Sequence, residues 1–380
     1  MKDARIRFDT RSPFYTELKE RVDAWFEASG QRPRDHWKMY LKTAIIMAWW
    51  LGSLVAFLTL DVGWLGALGL GVSLGLSTGG LGMSVMHDGG HKAYSDHKWV
   101  NAAMAWVIDL IGASSYVWNE KHNVRHHTYP NVVGSDDDVD IGPLARLAPG
   151  SPRYGFHRWQ HLYMWPLYGF ITIKWHWWDD FYQIARGRIG AYAFNRPTGG
   201  KAAAFWAGRV IFFGWALVLP IMYQPVALAL TFYFVAQFVQ GVVLAATFQM
   251  AHCVEEARYF EPSADGSPVD LDFARHQLAT TIDFATENPL ATWYMGGLNF
   301  QAVHHLFPRV CHVHYPAISR IVAEVAAKHD QPYTPTPSVR LALASHYRWL
   351  RTLGQPGAVP VVGSAVAAVQ SVAGHPEAIV

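Results

Sequence analysis

Cysteine is nearly absent: the chain of 380 residues holds two, Cys253 and Cys311. Two thiols exclude a disulfide framework, a four-cysteine zinc site and a thiolate-held iron–sulfur cluster. Charge is scarce as well. Asp, Glu, Lys and Arg make up 16 % of the residues, where a soluble domain carries about 25 %. The net charge of +2 gives no case for nucleic-acid binding. The opening residues MKDARIRFDTRSPFYTEL lack the apolar centre of a cleavable signal peptide.

What is abundant points to a membrane. Hydrophobic residues reach 51 % and aromatics 14 %, with 17 Trp, and Trp and Tyr collect at membrane–water interfaces. The mean hydropathy of +0.07 is too low for a pure bundle of spanning helices, so a substantial part must meet water. Four segments approach the roughly 20 apolar residues that a span requires: 43–60, 62–86, 206–223 and 225–250. Only Asp61 and its neighbours separate the first pair, and Gln224-Pro225 the second, so two hairpins are expected. Burial of such long paired runs inside a soluble protein is the competing reading.

Basic residues set the orientation. Arg32, Arg34, Lys38 and Lys42 lead into the first span, and Lys92, Lys98, Lys201 and Arg209 flank the other ends on that side, while the two tight turns carry no Lys or Arg. The positive-inside rule then places both termini and residues 87–204 in the cytoplasm. Residues 101–118 and 161–178 are apolar but interrupted by Asp109, Pro166 and Lys174, which suits helices lying on or dipping into the interface. The expected organisation is a helical cytoplasmic segment (1–42), a membrane domain (43–353) and a weakly ordered tail rich in Gly, Pro, Ala and Val (354–380).

The anomaly is histidine, 19 in all. HNVRHHTYPN puts His122, His126 and His127 within six residues. On a regular helix His122 and His126 stand one above the other and His127 lies about 100° further round. Two imidazoles then serve one metal and the third its neighbour. HDGGH places His87 and His91 four apart where the second span leaves the bilayer. QMAHC sets His252 at the end of the fourth span, and QAVHH supplies His304 and His305 with Gln301 one turn earlier. Eight imidazoles can hold two first-row metals and leave positions open; ligand type alone does not choose among Fe, Zn, Cu and Ni. HDGGH has neither the Glu nor the spacing of a zincin. Each pair alone is as well explained by structural histidines; all of them on one membrane face are not.

Those stretches carry a resemblance. HDGGH, HNVRHHTYPN followed by GSDDDVD, and QAVHHLFP resemble the three histidine boxes of integral-membrane fatty acid desaturases, and Gln301 at the head of the third box resembles the front-end (Δ5/Δ6-type) branch. The likeness runs from FYTELKERV near residue 14 to HHLFP near 308, including FHRWQHLYMWPLYGF and FQMAHCVEEA. It implies an all-α membrane fold, with four spans in two hairpins under a cytoplasmic cap. It also implies a non-haem di-iron centre on His87, His91, His122, His126, His127, His252, His304 and His305, and O2-dependent desaturation of an acyl chain carried on CoA or a glycerolipid. The chain departs from many front-end members in having no HPGG haem motif of a fused cytochrome b5, so a separate electron donor is expected, a ferredoxin or a cytochrome b5 with its reductase. Pro130 also stands where Thr is common.

An acyl hydroxylase or acetylenase would use the same boxes. A histidine-rich metal carrier or sensor, a more remote reading, would place its ligands along a path inside the bilayer. Asp88, Asn123 and Asp109 are candidates to orient ligating imidazoles, and the DDDVD run at 136–140 offers further carboxylates. Gln301, three residues before His304, is expected on the same helical face, tuning or positioning rather than simply ligating. His157 and His161 either cap an interfacial helix or ligate; His276 either meets a headgroup or is structural; Cys253 suits a small packed thiol.

Overall fold

The computed structural model describes residue 8 and residues 11–190, 192–260 and 271–357. The expected C-terminal tail therefore lies almost wholly outside the described residues. Helix α1 (Pro13–Ser29) starts on Ser12, whose hydroxyl accepts from the Tyr15 amide, and stops at Gly30 in the left-handed region, where glycine carries no steric penalty. Its Phe14, Leu18, Val22 and Phe26 recur every fourth residue and are buried, each worth roughly 1.5–3 kcal/mol.

Two long helices follow, α2 (Trp37–Thr59) and α3 (Trp64–Gly90). The chain then turns through α4 (Lys98–Leu110) and α5 (Ser115–His126), which meet at a bend of 112°. After a loop come α6 (Gln160–Tyr168) and α7 (171–186). The short hairpin of β1 (Arg188–Ile189) and β2 (Tyr192–Ala193) leads into α8 (Gly200–Tyr223) and α9 (Val226–His252). The cap closes with α10 (Phe273–Thr280), α11 (Pro289–Tyr294), α12 (Gln301–Leu306), α13 (Tyr315–Lys328) and α14 (Val339–Gly354).

Helices α2, α3, α8 and α9 are long and apolar enough to cross a membrane, in the two expected hairpins. Their ends extend beyond the apolar runs. Helix α2 begins at Trp37 because His36 caps it, its ring accepting from the Lys38 amide. Helix α3 runs on to Gly90, so HDGGH is itself helical. Apolar content marks the bilayer; hydrogen bonding marks the helix, and the two need not coincide. Leu41, Ile45, Leu51, Val55, Val72, Val210, Met222 and Phe234 remain exposed, an apolar belt that a soluble surface rarely tolerates and that lipid covers.

Glycines bring α3 against α9. A Cβ on Gly75 would lie 2.5 Å from the Ala236 carbonyl oxygen, and one on Gly71 3.0 Å from Val235 Cβ. Small residues one turn apart let helix backbones approach, the usual basis of packing between spans. Phe57 of α2 stacks on Phe232 of α9 at 3.9 Å. The expected interfacial stretches are both broken helices. Asp109 accepts from the Ser115 amide at the α4–α5 bend, and α6 ends beside Pro166 before α7 resumes. Trp159, Leu162, Phe170, Trp177 and Trp178 are exposed along the second stretch, as an interfacial helix requires.

Candidate metal centre

Local winding decides where each histidine points. Residues 82–86, just before HDGGH, wind as a π-turn, and so does Asn119–His126. The glycines of HDGGH are demanded by close approach: a Cβ on Gly89 would lie 2.6 Å from the Ala105 amide, and one on Gly90 2.2 Å from the Trp118 ring. Trp118 in turn stacks on His122 at 4.6 Å. The α3 end, α5, the α9 end and α12 thereby meet at one place.

Eight imidazoles converge there, none more than 8 % exposed. They form two sets: His87, His91, His122, His127 and His304 in one, and His126, His252 and His305 in the other, with the ring nitrogens of each set within 4.8 Å of one another. In the five-histidine set, His87 and His127 each bring Nε2 to 3.2 Å from His122 Nε2, and His304 Nε2 lies 2.9 Å from His127 Nε2. The sets touch where His127 stacks on His305 at 4.2 Å. All eight lie at or beyond the ends of the spans, not along a path through them, which disfavours a carrier.

The second box divides two and one, as expected, but with different membership. His122 pairs with His127, not His126, because π-winding hydrogen-bonds the His127 amide to the His122 carbonyl and brings residues five apart onto one face. Gln301 likewise departs from the expected face. Its Nε2 lies 3.0 Å from His252 Nε2, beside the three-histidine set, while His304 serves the other.

Outer partners orient the rings. His126 Nδ1 donates to Asp136 at 3.0 Å, and His305 Nδ1 donates to Gln277 Oε1 at 2.8 Å. His304 Nδ1 lies 3.1 Å from the Tyr315 hydroxyl, and Asp138 approaches His122 Nδ1 at 3.9 Å. With its proton on Nδ1, each such ring turns a lone pair on Nε2 inward. Inside, the Nε2 atoms of His91, His126 and His305 and the Oε1 of Gln301 have no hydrogen-bond partner among the described residues. Burial first, then crowding by neighbouring imidazoles, holds His127, His304 and His305 well below the usual imidazole range, so they are neutral at pH 7. Neutral lone pairs about 3 Å apart repel one another, and buried polar atoms without partners are costly. A cation in each set removes both penalties; the donors fit a pair of first-row metals with nitrogen ligands.

The other candidates fall as follows. Asp88 Oδ1 stands 4.0 Å from His87 Nδ1. Asn123 donates to the Gly90 carbonyl and to Asn119, bracing the first box rather than an imidazole, and Asp109 serves the α4–α5 bend. His157 bonds the Pro143 carbonyl, His161 packs on Tyr347, and His276 bonds the Pro130 carbonyl; none joins either set. Cys253 is buried. Gln277 and Tyr315 escaped the sequence reading, since each meets a histidine eleven or more positions away with no motif to announce it. Gln277 also donates to the His127 carbonyl, bridging the two sets.

Comparisons with known proteins agree with this geometry. The model of the fatty acid desaturase family matches residues 62–337. The chain is 37 % identical, over 92 % of its length and 95 % of the relative's, to an sn-1 linoleoyl-lipid 6-desaturase of Arthrospira platensis. It is 33 % identical to the protein of the same name from a Synechocystis species, over 92 % of this chain and 98 % of that one. A Delta(5) fatty acid desaturase A of Dictyostelium discoideum is 31 % identical over 92 % of this chain and 76 % of its own length.

Proposed function

The chain belongs to the fatty acid desaturase family and is a front-end acyl desaturase, an oxidoreductase; from that premise we propose that its two histidine sets hold a pair of irons and that it acts on glycerolipid-bound acyl chains at carbon 6. The observation that carries the metal reading is the inward convergence of eight buried imidazoles. The substrate reading rests on the Arthrospira and Synechocystis relatives, whose names specify an sn-1 linoleoyl lipid and carbon 6. Residues 43–353 form the working domain in this reading, with Gln301 beside the three-histidine set.

Bound iron with O2 would supply the oxidising power needed to take two hydrogens from an unactivated methylene pair. The protein's own part is orientation and exclusion. Asp136, Gln277, Tyr315 and Asp138 fix ring orientation through the outer nitrogens, and such partners also raise ligand basicity. Phe248, 5.0 Å from His126 and 4.6 Å from His252, covers the three-histidine set with an apolar ring and helps keep water out. Gln301 Oε1, buried and unpartnered, is placed to hold a water or the substrate.

The remaining parts of the reading are orientation and electron supply. Both ends of the chain and the centre face the cytoplasm, supported by the absence of Lys and Arg from the turns at 60–63 and 224–225. Electrons come from a separate ferredoxin or cytochrome b5 with its reductase, supported by the lack of an HPGG motif and by two cysteines that are both buried. Turnover of purified protein with acyl lipid and NAD(P)H alone would contradict that.

The test of function is expression in a host lacking carbon-6 desaturation, fed linoleate, with double-bond positions read by mass spectrometry of the separated lipids. A new double bond at carbon 6, appearing in glycerolipid before it appears in acyl-CoA, is expected. A hydroxylated product, or a bond on the methyl side of the existing ones, would overturn the reading.

A further inference from the structure

Helix α2 carries, just ahead of its apolar run, a buried cation that none of the chemistry above uses. Lys42 lies just over one turn inside α2 and is 4 % exposed, although a buried charge is expensive unless it is paired. Snorkelling toward the headgroups does not describe it: Lys38, one turn earlier, is exposed, whereas Lys42 is buried. Its Nζ lies 2.9 Å from His312 Nε2 and 5.4 Å from the centre of the Trp293 ring.

His312 stands in the short turn His312–His314, after the third box, and is itself 3 % exposed. Its Nδ1 lies 3.0 Å from Asp88 Oδ2, and its backbone amide donates to the same oxygen at 3.2 Å. Asp88 follows His87 directly. An unbroken path of side chains, Lys42–His312–Asp88, thus joins the first span, the segment after the third box and the edge of the five-histidine set.

Donor and acceptor chemistry assigns the roles. An ammonium only donates, so His312 Nε2 accepts from Lys42; the ring proton then sits on Nδ1 and is donated to Asp88. Lys42 and His312 together hold one positive charge opposite the carboxylate. A buried carboxylate deprived of that charge would be left uncompensated, the costly outcome for any buried ion. No carboxylate ion-pairs directly with Lys42 among the described residues, so His312 is the link.

We propose that Lys42 and His312 are positioning residues for the five-histidine set: they hold the Asp88 side chain in place beside His87, whose Nδ1 lies 4.0 Å from it, steadying that imidazole and the field at the metal it would bind. The inference rests on the two-iron reading of the site. It adds to that reading a residue at the head of α2 and a cap residue, both outside the three boxes.

Three variants test it, His312→Leu, His312→Gln and Lys42→Met, loaded with Mössbauer-active iron. Iron content, Mössbauer spectrum and steady-state kinetics are measured on each. His312→Leu is expected to keep both irons, to shift the signal of one of them, and to slow kcat by about tenfold with KM unchanged, the lower end for loss of an orienting partner. His312→Gln is expected to return both signal and rate toward wild type, because its carbonyl can accept from Lys42 and its amide can donate to Asp88. Lys42→Met should shift the same signal by less, since His312 still reaches Asp88. It should also accumulate at least as well as wild type, having lost a buried charge; a merely structural lysine predicts poorer accumulation and no spectral change. Wild-type spectra in His312→Leu and Lys42→Met, or a Gln variant no better than Leu, would overturn the proposal. If His312→Leu fails to accumulate, Lys42→Met decides it by the same signal. A wild-type protein without two iron signals would overturn the metal reading and this one with it.

Discussion

The five-histidine set and the three-histidine set are built from the same residue type at the same depth, yet their protein ligands differ in number. His87, His91, His122, His127 and His304 can surround a metal almost completely. His126, His252 and His305 cannot, and what borders them is Gln301, with a free buried oxygen, and the ring of Phe248. A metal saturated by imidazoles is held; one short of ligands keeps positions for exogenous molecules. On the proposed reading, the asymmetry assigns holding to one side and reactivity to the other.

The largest expected effect breaks the weaker set. His126→Ala or His305→Ala leaves two imidazoles, so desaturation should fall below detection while the protein still inserts, because both residues lie outside the spans. In the stronger set, His91→Ala leaves four, and both metals should stay bound with activity lowered by roughly 10–100-fold. Lipid product analysis beside metal content separates the two. Equal loss of metal from His91→Ala and His305→Ala would erase the distinction between the sets.

Gln301 comes next. Gln301→Ala should lower turnover strongly and keep most of the iron, whereas Gln301→His should keep iron and change rate or double-bond position by adding a stronger ligand to the poorer set. If Gln301→Ala loses as much iron as His305→Ala, the amide is an ordinary ligand. Gln277→Leu removes the acceptor for His305 Nδ1 and the brace on His127, with an expected loss of about tenfold in activity; a wild-type rate would show that His305 is held by packing alone. The smallest effect is that of Asn123→Ala. It deletes two hydrogen bonds, to the Gly90 carbonyl and to Asn119 Oδ1, each worth about 1 kcal/mol, so thermal stability should drop modestly and activity stay within a few-fold.

Much of this architecture is legible in the sequence alone. Apolar runs place the four spans, and the spacing of His87 with His91 and of His122 with His126 and His127 announces a metal site. Three things are not legible. Span ends fall up to six residues from the apolar limits, as at Trp37, because capping groups such as His36 extend a helix past its apolar part. The allotment of His122 and His127 to one set depends on π-winding, which no residue between 119 and 126 signals. The orienting groups lie far off in sequence: Gln277 reaches His305 and His312 reaches Asp88 only after the cap has folded over the ends of the spans. Pattern marks the candidate residues; packing decides which of them meet.

The central claim, two unequal metal sets, is tested most directly by iron content per chain in wild type and His305→Ala purified side by side from iron-replete cells. The account predicts close to two irons in the wild type and close to one in His305→Ala, with both proteins accumulating equally in the membrane. One zinc with negligible iron in an active wild type, or two irons retained by His305→Ala, would contradict it.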